Sequence, residues 1–328
     1  GVNIEFPEPD CYLHLVEPFP DFQDYIAGLA REFRLLKSFH AAGGPAVLPA
    51  KVAILSAWGS LRSWICSGHL HEHPEIELTN ILESLSGLPV EVEFLSFDDI
   101  TGSGIPADVK VLINAGRADT AWSGGDNWLD PEVVEAITAW VAGGGALIGV
   151  AEPSAVRHGS AWFQLSSVLG VERETGATIC TTKFAHAKPV GGHFITRDLA
   201  GVPGFGQDVD GVHVLDGTTE VLAEREGSVM IATHGFGRGR TVYFSGYRHS
   251  GENTRLLHRA IAWAARAEAD FESMRTADWR LEAAWYPAKR KLVVINNSDD
   301  AVSSTVLDER GAAHAVAVPA HGIVILDR

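Results

Sequence analysis

Between Lys51 and Val150, short apolar runs alternate with amphipathic stretches, and this alternation restricts the fold more than any other feature of the sequence. Each apolar run has the length of a strand, and each intervening stretch repeats its apolar residues every three or four positions. Strands separated by helices are typical of a parallel sheet with helices on both faces. We therefore predict a doubly wound α/β domain with strands at 52–58, 90–97, 109–115 and 146–150 and helices at 75–86 and 131–142.

After Glu152 the alternation is replaced by β-rich segments around 178–184, 212–215, 221–224, 229–233 and 241–245, followed by a helix predicted at 253–266. The predicted buried stripe of this helix consists of Leu256, Leu257, Ala260, Ile261 and Ala264. Beyond Asp270, short alternating segments are separated by polar turns, which is typical of a small β-sandwich. The predicted strands are at 281–286, 291–296, 303–307, 313–318 and 323–326. A module of this size is only marginally stable alone, so we expect it to pack on the α/β body. The predicted organisation is an α/β domain over 46–268 and a β-sandwich over 270–328.

An amphipathic helix is predicted at 20–40, with Pro20 near its start. The next apolar strand begins only at Val52, after a loose stretch, so nothing close in the sequence covers the apolar stripe of this helix. The chain begins at Gly1 with no secretory signal pattern. We expect residues 1–45 to be the junction with a domain that precedes them. The stripe consists of Phe22, Tyr25, Ile26, Leu29, Phe33, Leu36 and Phe39.

The net charge and the cysteine content exclude several classes of protein. With 42 acidic and 26 basic residues, the formal charge of −16 does not suit binding to nucleic acid or to an anionic membrane surface. The longest apolar runs fall far short of the roughly 18 residues that a membrane span needs. Cys11, Cys66 and Cys180 are widely spaced and suggest neither a disulfide framework nor a zinc ribbon. We expect a cytoplasmic protein without a cofactor.

Ligands usually bind at the carboxyl ends of the strands of an open α/β sheet, so the loops after the predicted strands are the first candidates for a site. The loop after the first strand places Arg62 between Trp58 and Trp64. Arg62 could hold an anion or a sugar hydroxyl while an indole stacks on a pyranose ring, which suits a carbohydrate site. A packed aromatic loop with a surface arginine explains the same residues equally well.

The loop after the third strand is long, polar and rich in glycine, running from Asn114 to Trp128. Compact folds seldom keep a loop of this length without a use, and its candidate binding residues are Asp119, Gly124, Gly125 and Trp128. The alternative is a capped connection to the next helix, with Asp130 as the N-cap.

Glu152 follows the fourth strand directly. Class I glutamine amidotransferases, which share this order of elements, place a nucleophilic cysteine on a tight turn here. Since none of the three cysteines lies at this point, we expect an amidotransferase-like sheet without thiol amide hydrolysis. Glu152 could orient a ligand, or its carboxylate could accept hydrogen bonds from backbone N–H groups.

Two motifs resemble functional signatures without their context. His69, His71 and His73 alternate around Glu72 with no second cluster at metal-ligand spacing, which favours a solvated turn over a metal site. The glycines at 235–239 lie between two β segments and do not open a helix, so we interpret them as a hairpin turn and not as a dinucleotide fingerprint.

A series of motifs occurs in a fixed order along residues 12–328. It consists of Val52 to Gly59, Arg62-Ser63-Trp64, Leu82 to Gly87, Phe94 to Ile100, Asp119-Thr120-Ala121, Ser123-Gly124-Gly125, Asn127-Trp128, Gly149 with Glu152-Pro153, Phe163-Gln164-Leu165, Val168 to Val171, Phe236 to Arg240, and Glu252-Asn253 with Arg255-Leu256-Leu257. In these motifs the chain resembles 1,3-β-galactosyl-N-acetylhexosamine phosphorylases, also called lacto-N-biose or galacto-N-biose phosphorylases, in the part that follows their catalytic barrel. One difference is Gly116-Arg117, where the family leads us to expect Gly-Asp.

The resemblance implies an inverting phosphorolysis of β-1,3-galactosyl-N-acetylhexosamine to α-galactose 1-phosphate and the free hexosamine. Phosphate attacks directly while one carboxylic acid protonates the departing oxygen, and the resemblance implies that this acid lies in the barrel. We therefore expect no catalytic residue in this chain and no activity of the chain alone. The partners implied are phosphate, the disaccharide, a preceding barrel and a second copy in a homodimer. The alternative is a catalytically inert amidotransferase-like module for oligomerisation or carbohydrate binding.

Overall fold

A computed structural model describes residues 19–57, 77–118, 120, 122–175, 189–273 and 275–328. The chain divides into two compact units. The larger unit comprises Val47–Ala283 and Val294–Val324, and the smaller unit comprises Gly1–Ala46, Ala284–Val293 and Ile325–Arg328.

A seven-stranded sheet forms the centre of the larger unit. Its strands are β1 (Val52–Leu55), β2 (Val92–Leu95), β3 (Val111–Gly116), β4 (Ala146–Ala151), β7 (Glu220–Arg225), β8 (Ser228–Phe236) and β9 (Gly239–Phe244), in the spatial order β2-β1-β3-β4-β9-β8-β7. The five strands from β2 to β9 are parallel, whereas β8 and β7 continue the sheet antiparallel to their neighbours. The predicted parallel sheet is therefore mixed, because the segments after Glu152 return through hairpins.

The strands bury side chains on both faces, as the period of two along a strand requires. One face contributes residues such as Ile54, Ile113 and Ile148 to a core beneath α2 (Glu77–Leu85) and α6 (Gly251–Ala264). The other face contributes Leu55 and Leu147, among others, to a core beneath α3 (Phe97–Gly102) and α4 (Pro131–Ala142). Helices thus cover both faces of the sheet, which confirms the predicted layering. The buried stripe predicted for α6 is also confirmed, at Leu256, Leu257, Ala260, Ile261 and Ala264.

The ends of α4 follow from local sequence. Pro131 occupies the first helical turn, and the Asp130 side chain accepts a hydrogen bond from Glu132 N at 2.9 Å, so Asp130 is the predicted N-cap. Three glycines follow the helix and give way to β4. At the far end of the sheet, Phe236 pairs with Gly239 across the turn that joins β8 and β9, and Gly237 has φ of 59°. The predicted hairpin turn is confirmed.

Shorter elements complete the larger unit. They include α5 (Ser166–Leu169), α7 (Glu268–Ser273), a 3-10 turn at Gly125–Leu129, and the antiparallel pair β5 (Val171–Arg173) and β6 (Val212–Val214). Nothing is described at 178–184, so the strand predicted there lies outside the described residues.

The C-terminal strands form two small sheets, separate from the seven-stranded one. The strands β10 (Leu281–Tyr286), β11 (Lys291–Asn296) and β14 (Ile323–Asp327) form a three-stranded sheet in the order β10-β11-β14, and β12 (Val302–Leu307) and β13 (Ala313–Val318) form an antiparallel hairpin. Every C-terminal strand predicted from the sequence is present within one residue of its predicted ends.

The smaller unit contains α1 (Pro20–His40), whose apolar stripe is largely exposed. Only Phe39 is buried; it packs edge-on against Tyr286 with ring centroids 5.4 Å apart. Phe22, Tyr25 and Phe33 expose 38%, 56% and 45% of their surface. Among the helices in the described ranges, none combines the length and apolar character that crossing a bilayer requires.

Candidate functional site

The carboxyl ends of β1, β3 and β4 lie at one edge of the seven-stranded sheet because these strands are parallel and adjacent. Each is followed by a loop that the sequence marked as a candidate. Arg62 and Trp64, in the loop after β1, lie outside the described residues, as do Asp119 and the histidine-rich segment 69–73. The loops after β3 and β4 are described and form the core of the site.

The loop after β3 is held in place by a hydrogen-bonded framework centred on Ser123. Ser123 Oγ donates to the carbonyl of Arg117 at 2.6 Å, while the Ser123 carbonyl accepts from Asn114 Nδ2 at 2.8 Å and from the Trp128 indole. Thr120 Oγ1 donates to the same Arg117 carbonyl at 2.6 Å. Since Ser123 is fully buried, these bonds fix the loop conformation and with it the backbone of Arg117.

Trp128 lies in the interior and not at the surface of the loop. Its side chain is 1% exposed and packs edge-on against Phe97, with ring centroids 5.1 Å apart. The indole N–H is already satisfied by the Ser123 carbonyl. Trp128 therefore supports the loop from the protein core. This is consistent with the alternative interpretation, in which the loop is a capped connection to the next helix.

Gly124 makes this close approach of loop and core feasible. Its φ of 122° is one that L side chains rarely adopt, and a Cβ built on it would lie 2.3 Å from Phe97 Cζ. The neighbouring Gly125 has φ of 52° and begins the 3-10 turn. The two glycines named as binding candidates are thus required by the loop backbone.

We expect Gly124→Ala to lower the free energy of unfolding by at least about 1–2 kcal/mol, because the added methyl meets the Phe97 ring at a strained backbone position. Gly102→Ala is the matched control, since nothing lies within 4 Å of a Cβ at Gly102. Urea denaturation of both variants measures the difference. Equal stability of the two variants would contradict the requirement for glycine at 124.

Glu152 links the loops after β3 and β4. Its buried carboxylate accepts from Ala118 N at 3.0 Å and from Trp162 Nε1 at 3.1 Å, and it forms an ion pair with Arg173. The Arg173 guanidinium also lies over the Trp162 ring, 5.5 Å from its centroid. A backbone N–H is therefore among the partners of Glu152, and the carboxylate serves to position the loop after β3.

The chain turns sharply where β4 ends. Ala151, the last residue of β4, has φ of 64°, and Ser154 shortly after it has φ of 54°. The Ala151 carbonyl accepts from the buried Tyr243 hydroxyl at 3.0 Å, and burial raises the pKa of Tyr243 well above its ordinary value. The turn after β4 therefore holds two residues in strained backbone conformations.

An ion pair between Arg117 and Glu77 spans the site. Arg117 Nε lies 2.9 Å from Glu77 Oε1, and Arg117 NH2 donates to the Gln207 carbonyl at 2.8 Å. Burial raises the pKa of the Glu77 carboxyl, and the Arg117 guanidinium opposes this shift. The Arg117 side chain is 33% exposed, against 7% for Glu77, so the cation is the member that reaches solvent at this edge.

The structure brings together Glu152, the backbone of Gly124 and Gly125, and the indole of Trp128 at one sheet edge. It adds Glu77, Arg117 and Arg173, which were not selected from the sequence as site residues. Arg117 could have been selected from the sequence, because it follows β3 directly and ligands usually bind at the carboxyl ends of parallel strands. Nothing in the sequence marks Glu77 as its partner. In the ranges that the structure describes, no group of histidine, cysteine or carboxylate side chains could hold a metal ion.

Two family models match this chain. The central domain of lacto-N-biose phosphorylase matches residues 51–269, and the C-terminal domain of lacto-N-biose phosphorylase matches residues 277–326.

Curated relatives are similar over nearly the whole chain. A D-galactosyl-β-1→4-L-rhamnose phosphorylase from Lachnoclostridium phytofermentans is 40% identical over 316 residues, which are 96% of this chain and 42% of the relative. A 1,3-β-galactosyl-N-acetylhexosamine phosphorylase from Bifidobacterium longum subsp. longum is 35% identical over 347 residues, covering 95% of this chain and 46% of the relative. The chain therefore spans less than half the length of these relatives.

Solved structures with a partial likeness include a β-galactosidase from Rahnella sp. R3, at 17% identity and a TM-score of 0.48 over 84% of this chain and 40% of that one. A β-galactosidase from Bacillus circulans sp. alkalophilus has 18% identity and a TM-score of 0.44 over 86% of this chain and 42% of that one.

Proposed function

The chain belongs to the lacto-N-biose phosphorylase family, and we propose that it is the part of a galactoside phosphorylase that follows a catalytic barrel. The match of both family models, in order along the chain, is the observation that carries this proposal. The reaction would join phosphate to the galactosyl group of a β-galactoside with inversion, so that α-galactose 1-phosphate and the second sugar are released. The resemblance to the family implies that the catalytic acid would lie in the barrel.

The substrate we propose is β-1,3-galactosyl-N-acetylhexosamine, in accordance with the sequence motifs. A β-1,4-galactosyl-L-rhamnose is the second candidate, and the 40% identity with a phosphorylase of that name favours it. Arg117, in place of the aspartate expected after Gly116, is the residue here that bears on the choice. An arginine offers hydrogen-bond donors only, so it suits sugar hydroxyls or phosphate oxygens as acceptors.

We propose that the loops at the strand ends cap the active site of the barrel. Arg62, Trp64 and Asp119 would reach the sugar or the phosphate, while Glu152 and Trp128 would hold the loops that carry them. Arg117 would join the contacting residues, since its guanidinium is fixed by Glu77 yet partly exposed. We propose that the apolar stripe of α1 packs against the barrel. The exposure of Phe22, Tyr25 and Phe33 in this stripe supports a barrel on the N-terminal side of the chain.

We propose the domain boundaries as 1–45, 46–268 and 270–328, with an amidotransferase-like arrangement of the middle domain and a β-sandwich at the C-terminus. The ranges of the two family models support this division. The strained turn at Ala151 supports the amidotransferase-like arrangement, since a turn of this kind is where those enzymes hold their nucleophile.

The assay that tests the function uses the chain with phosphate and either disaccharide. We expect no galactose 1-phosphate from the chain alone, and release of galactose 1-phosphate after co-expression with the part of the L. phytofermentans relative that the chain does not cover. Turnover by the chain alone would overturn the assignment of the catalytic acid to the barrel. Failure of the co-expressed pair, when the complex forms, would favour an inert oligomerisation or carbohydrate-binding module.

Within the active pair, we expect Arg117→Ala to lower kcat/KM for phosphorolysis by about tenfold, because one charge-assisted hydrogen bond to the substrate is lost. The matched control is Arg238→Ala, which removes an arginine from the hairpin turn at the opposite edge of the sheet. The rate per folded molecule is compared after melting curves establish that both variants fold. Equal rates for the two variants would contradict a substrate contact by Arg117.

A further inference from the structure

A cavity of about 160 Å³, lined by both polar and apolar groups, lies within the larger unit, away from the strand-end loops. The C-terminal end of α2, the first two turns of α6, and the segment 275–283 with Asn297 and Ser298 line it. It therefore lies where residues of the two matched family regions meet. An ordered water needs only about 10–15 Å³ of such space, so this cavity admits a ligand the size of a sugar ring.

Trp279 provides an aromatic surface at the mouth of the cavity. The indole is 52% exposed although its surroundings are packed. A Cβ built on Gly251 would lie 1.9 Å from Trp279 Cδ2 and 2.0 Å from Cε2, the two carbons shared by the indole rings. An atom can lie this close to both of these ring carbons only when it is above the plane of the indole. One face of the Trp279 indole therefore packs against the backbone of Gly251. The other face is left available for stacking.

Directional polar groups surround this surface. The Glu282 carboxyl accepts a hydrogen bond from Asn297 Nδ2 and lies 3.4 Å from the position of a Cβ on Gly87, so glycine there leaves the carboxyl room. The Arg255 guanidinium donates to the Thr276 carbonyl at 2.8 Å and lines the same cavity. Burial raises the pKa of Glu282 to about 7, which allows this group to donate as well as accept near neutral pH.

The charges in the cavity favour a neutral ligand over an anionic one. The carboxylate of Glu83 lines it and would repel an anion. Two of its guanidiniums already hold carboxylates, since Arg280 pairs with Asp278 at 2.6 Å and Arg275 pairs with Glu272 at 2.9 Å.

We propose that this cavity is a binding site for a neutral saccharide, which stacks on Trp279 and hydrogen-bonds Glu282, Asn297 and Arg255. An exposed aromatic face beside a carboxyl, an amide and a guanidinium matches the chemistry of a pyranose, which has an apolar face and a rim of hydroxyls. The site is separate from the strand-end loops and does not depend on the proposed phosphorolysis.

The experiment titrates the full chain with methyl β-galactoside, N-acetylglucosamine, L-rhamnose and glucose by calorimetry and saturation-transfer NMR. We expect saturable binding of at least one sugar, weakened about tenfold or more by Trp279→Ala and weakened less by Trp279→Phe, which keeps an aromatic face. The matched control is Tyr25→Ala, which removes an aromatic ring of similar exposure, 56%, from α1 and leaves binding unchanged. Melting curves verify that each variant folds.

The outcomes separate this site from the strand-end loops. Arg117→Ala is expected to retain the binding that Trp279→Ala loses. Binding lost in Arg117→Ala but kept in Trp279→Ala would place the sugar at the strand ends and overturn the inference while leaving the proposed function in place. The inference would also be overturned if none of the four sugars bound. It would be overturned as well if inorganic phosphate bound saturably and Trp279→Ala abolished that binding.

Discussion

Replacing Glu152 by alanine is expected to lower the free energy of unfolding by about 3 kcal/mol. The buried carboxylate holds three donors, on Ala118, Trp162 and Arg173, which come from three different segments of the chain. Its removal leaves the part-buried Ala118 N–H and Trp162 indole N–H without this acceptor. Arg173 is 29% exposed and regains solvent in part, which keeps the expected loss at the lower end of the range for a broken buried pair.

Chemical denaturation of the Glu152→Ala variant measures this loss, and Glu135→Ala is the matched control. Glu135 is an exposed residue of α4, so the same change of charge is expected to alter stability by less than about 0.5 kcal/mol. Glu152→Gln is expected to lie between the two, because it keeps the volume and one acceptor but not the charge. If Glu152→Ala were as stable as Glu135→Ala, the carboxylate would not be what joins the two loops.

The regular elements could be predicted where local chemistry alone determines them. Proline, Asp130 and a run of glycines delimit α4, and the predicted bounds match the observed ones. The short helix α3 was missed because six residues are too few to show a helical period, although Ser96 and Asp99 form a capping box at its start. The predicted hairpin turn at 235–239 already indicated that β8 and β9 are antiparallel. The sequence did not show that β9 of this hairpin pairs with β4, which makes the parallel sheet a mixed one.

The candidate site could be located from the sequence but not assembled. Strand-end position identified the loop after β3 and Glu152, since parallel strands bring such residues to one edge. The pairing of Glu77 with Arg117 joins the start of α2 to the end of β3, and no local pattern in the sequence links these two residues. Whether Trp128 contacts a ligand or the core was equally open in the sequence, because an indole suits both environments.

His258 makes the stability of the larger unit depend on pH. The imidazole is fully buried on α6, and its Nε2 donates to the Ser84 carbonyl at 2.6 Å. Burial lowers the pKa of His258 to about 4, the Ser84 carbonyl opposes this shift, and the nearby Arg255 and His249 side chains add to it. In the unfolded chain, the pKa returns to about 6.5.

The sign of the effect follows from which state binds the proton first. Above about pH 6.5 His258 is neutral in both states and contributes no pH dependence. As the pH falls from about 6.5 to about 4, His258 binds a proton in the unfolded chain but stays neutral in the folded protein. The free energy of unfolding therefore decreases by roughly 3 kcal/mol. Glu282 acts in the opposite direction, since its raised pKa of about 7 lowers stability as the pH rises from about 4.5 to about 7.

The two effects oppose each other over nearly the same pH range, so substitution is needed to separate them. Glutamine is uncharged at every pH, and at position 258 its side-chain N–H can still donate to the Ser84 carbonyl. Denaturation curves between about pH 4.5 and 7 are expected to show that Glu282→Gln, in which the His258 contribution remains, gains stability with rising pH more steeply than the parent protein. In His258→Gln the Glu282 contribution remains, so stability is expected to shift in the opposite direction, falling relative to the parent protein as the pH rises. His158→Gln, at an exposed position, is the control and should follow the parent protein. A pH profile of His258→Gln that matched the parent protein would mean that some other group takes up the proton on unfolding. A profile changed in His258→Gln but not in His158→Gln would identify the buried imidazole beside the Trp279 cavity as the group that lowers stability in acid.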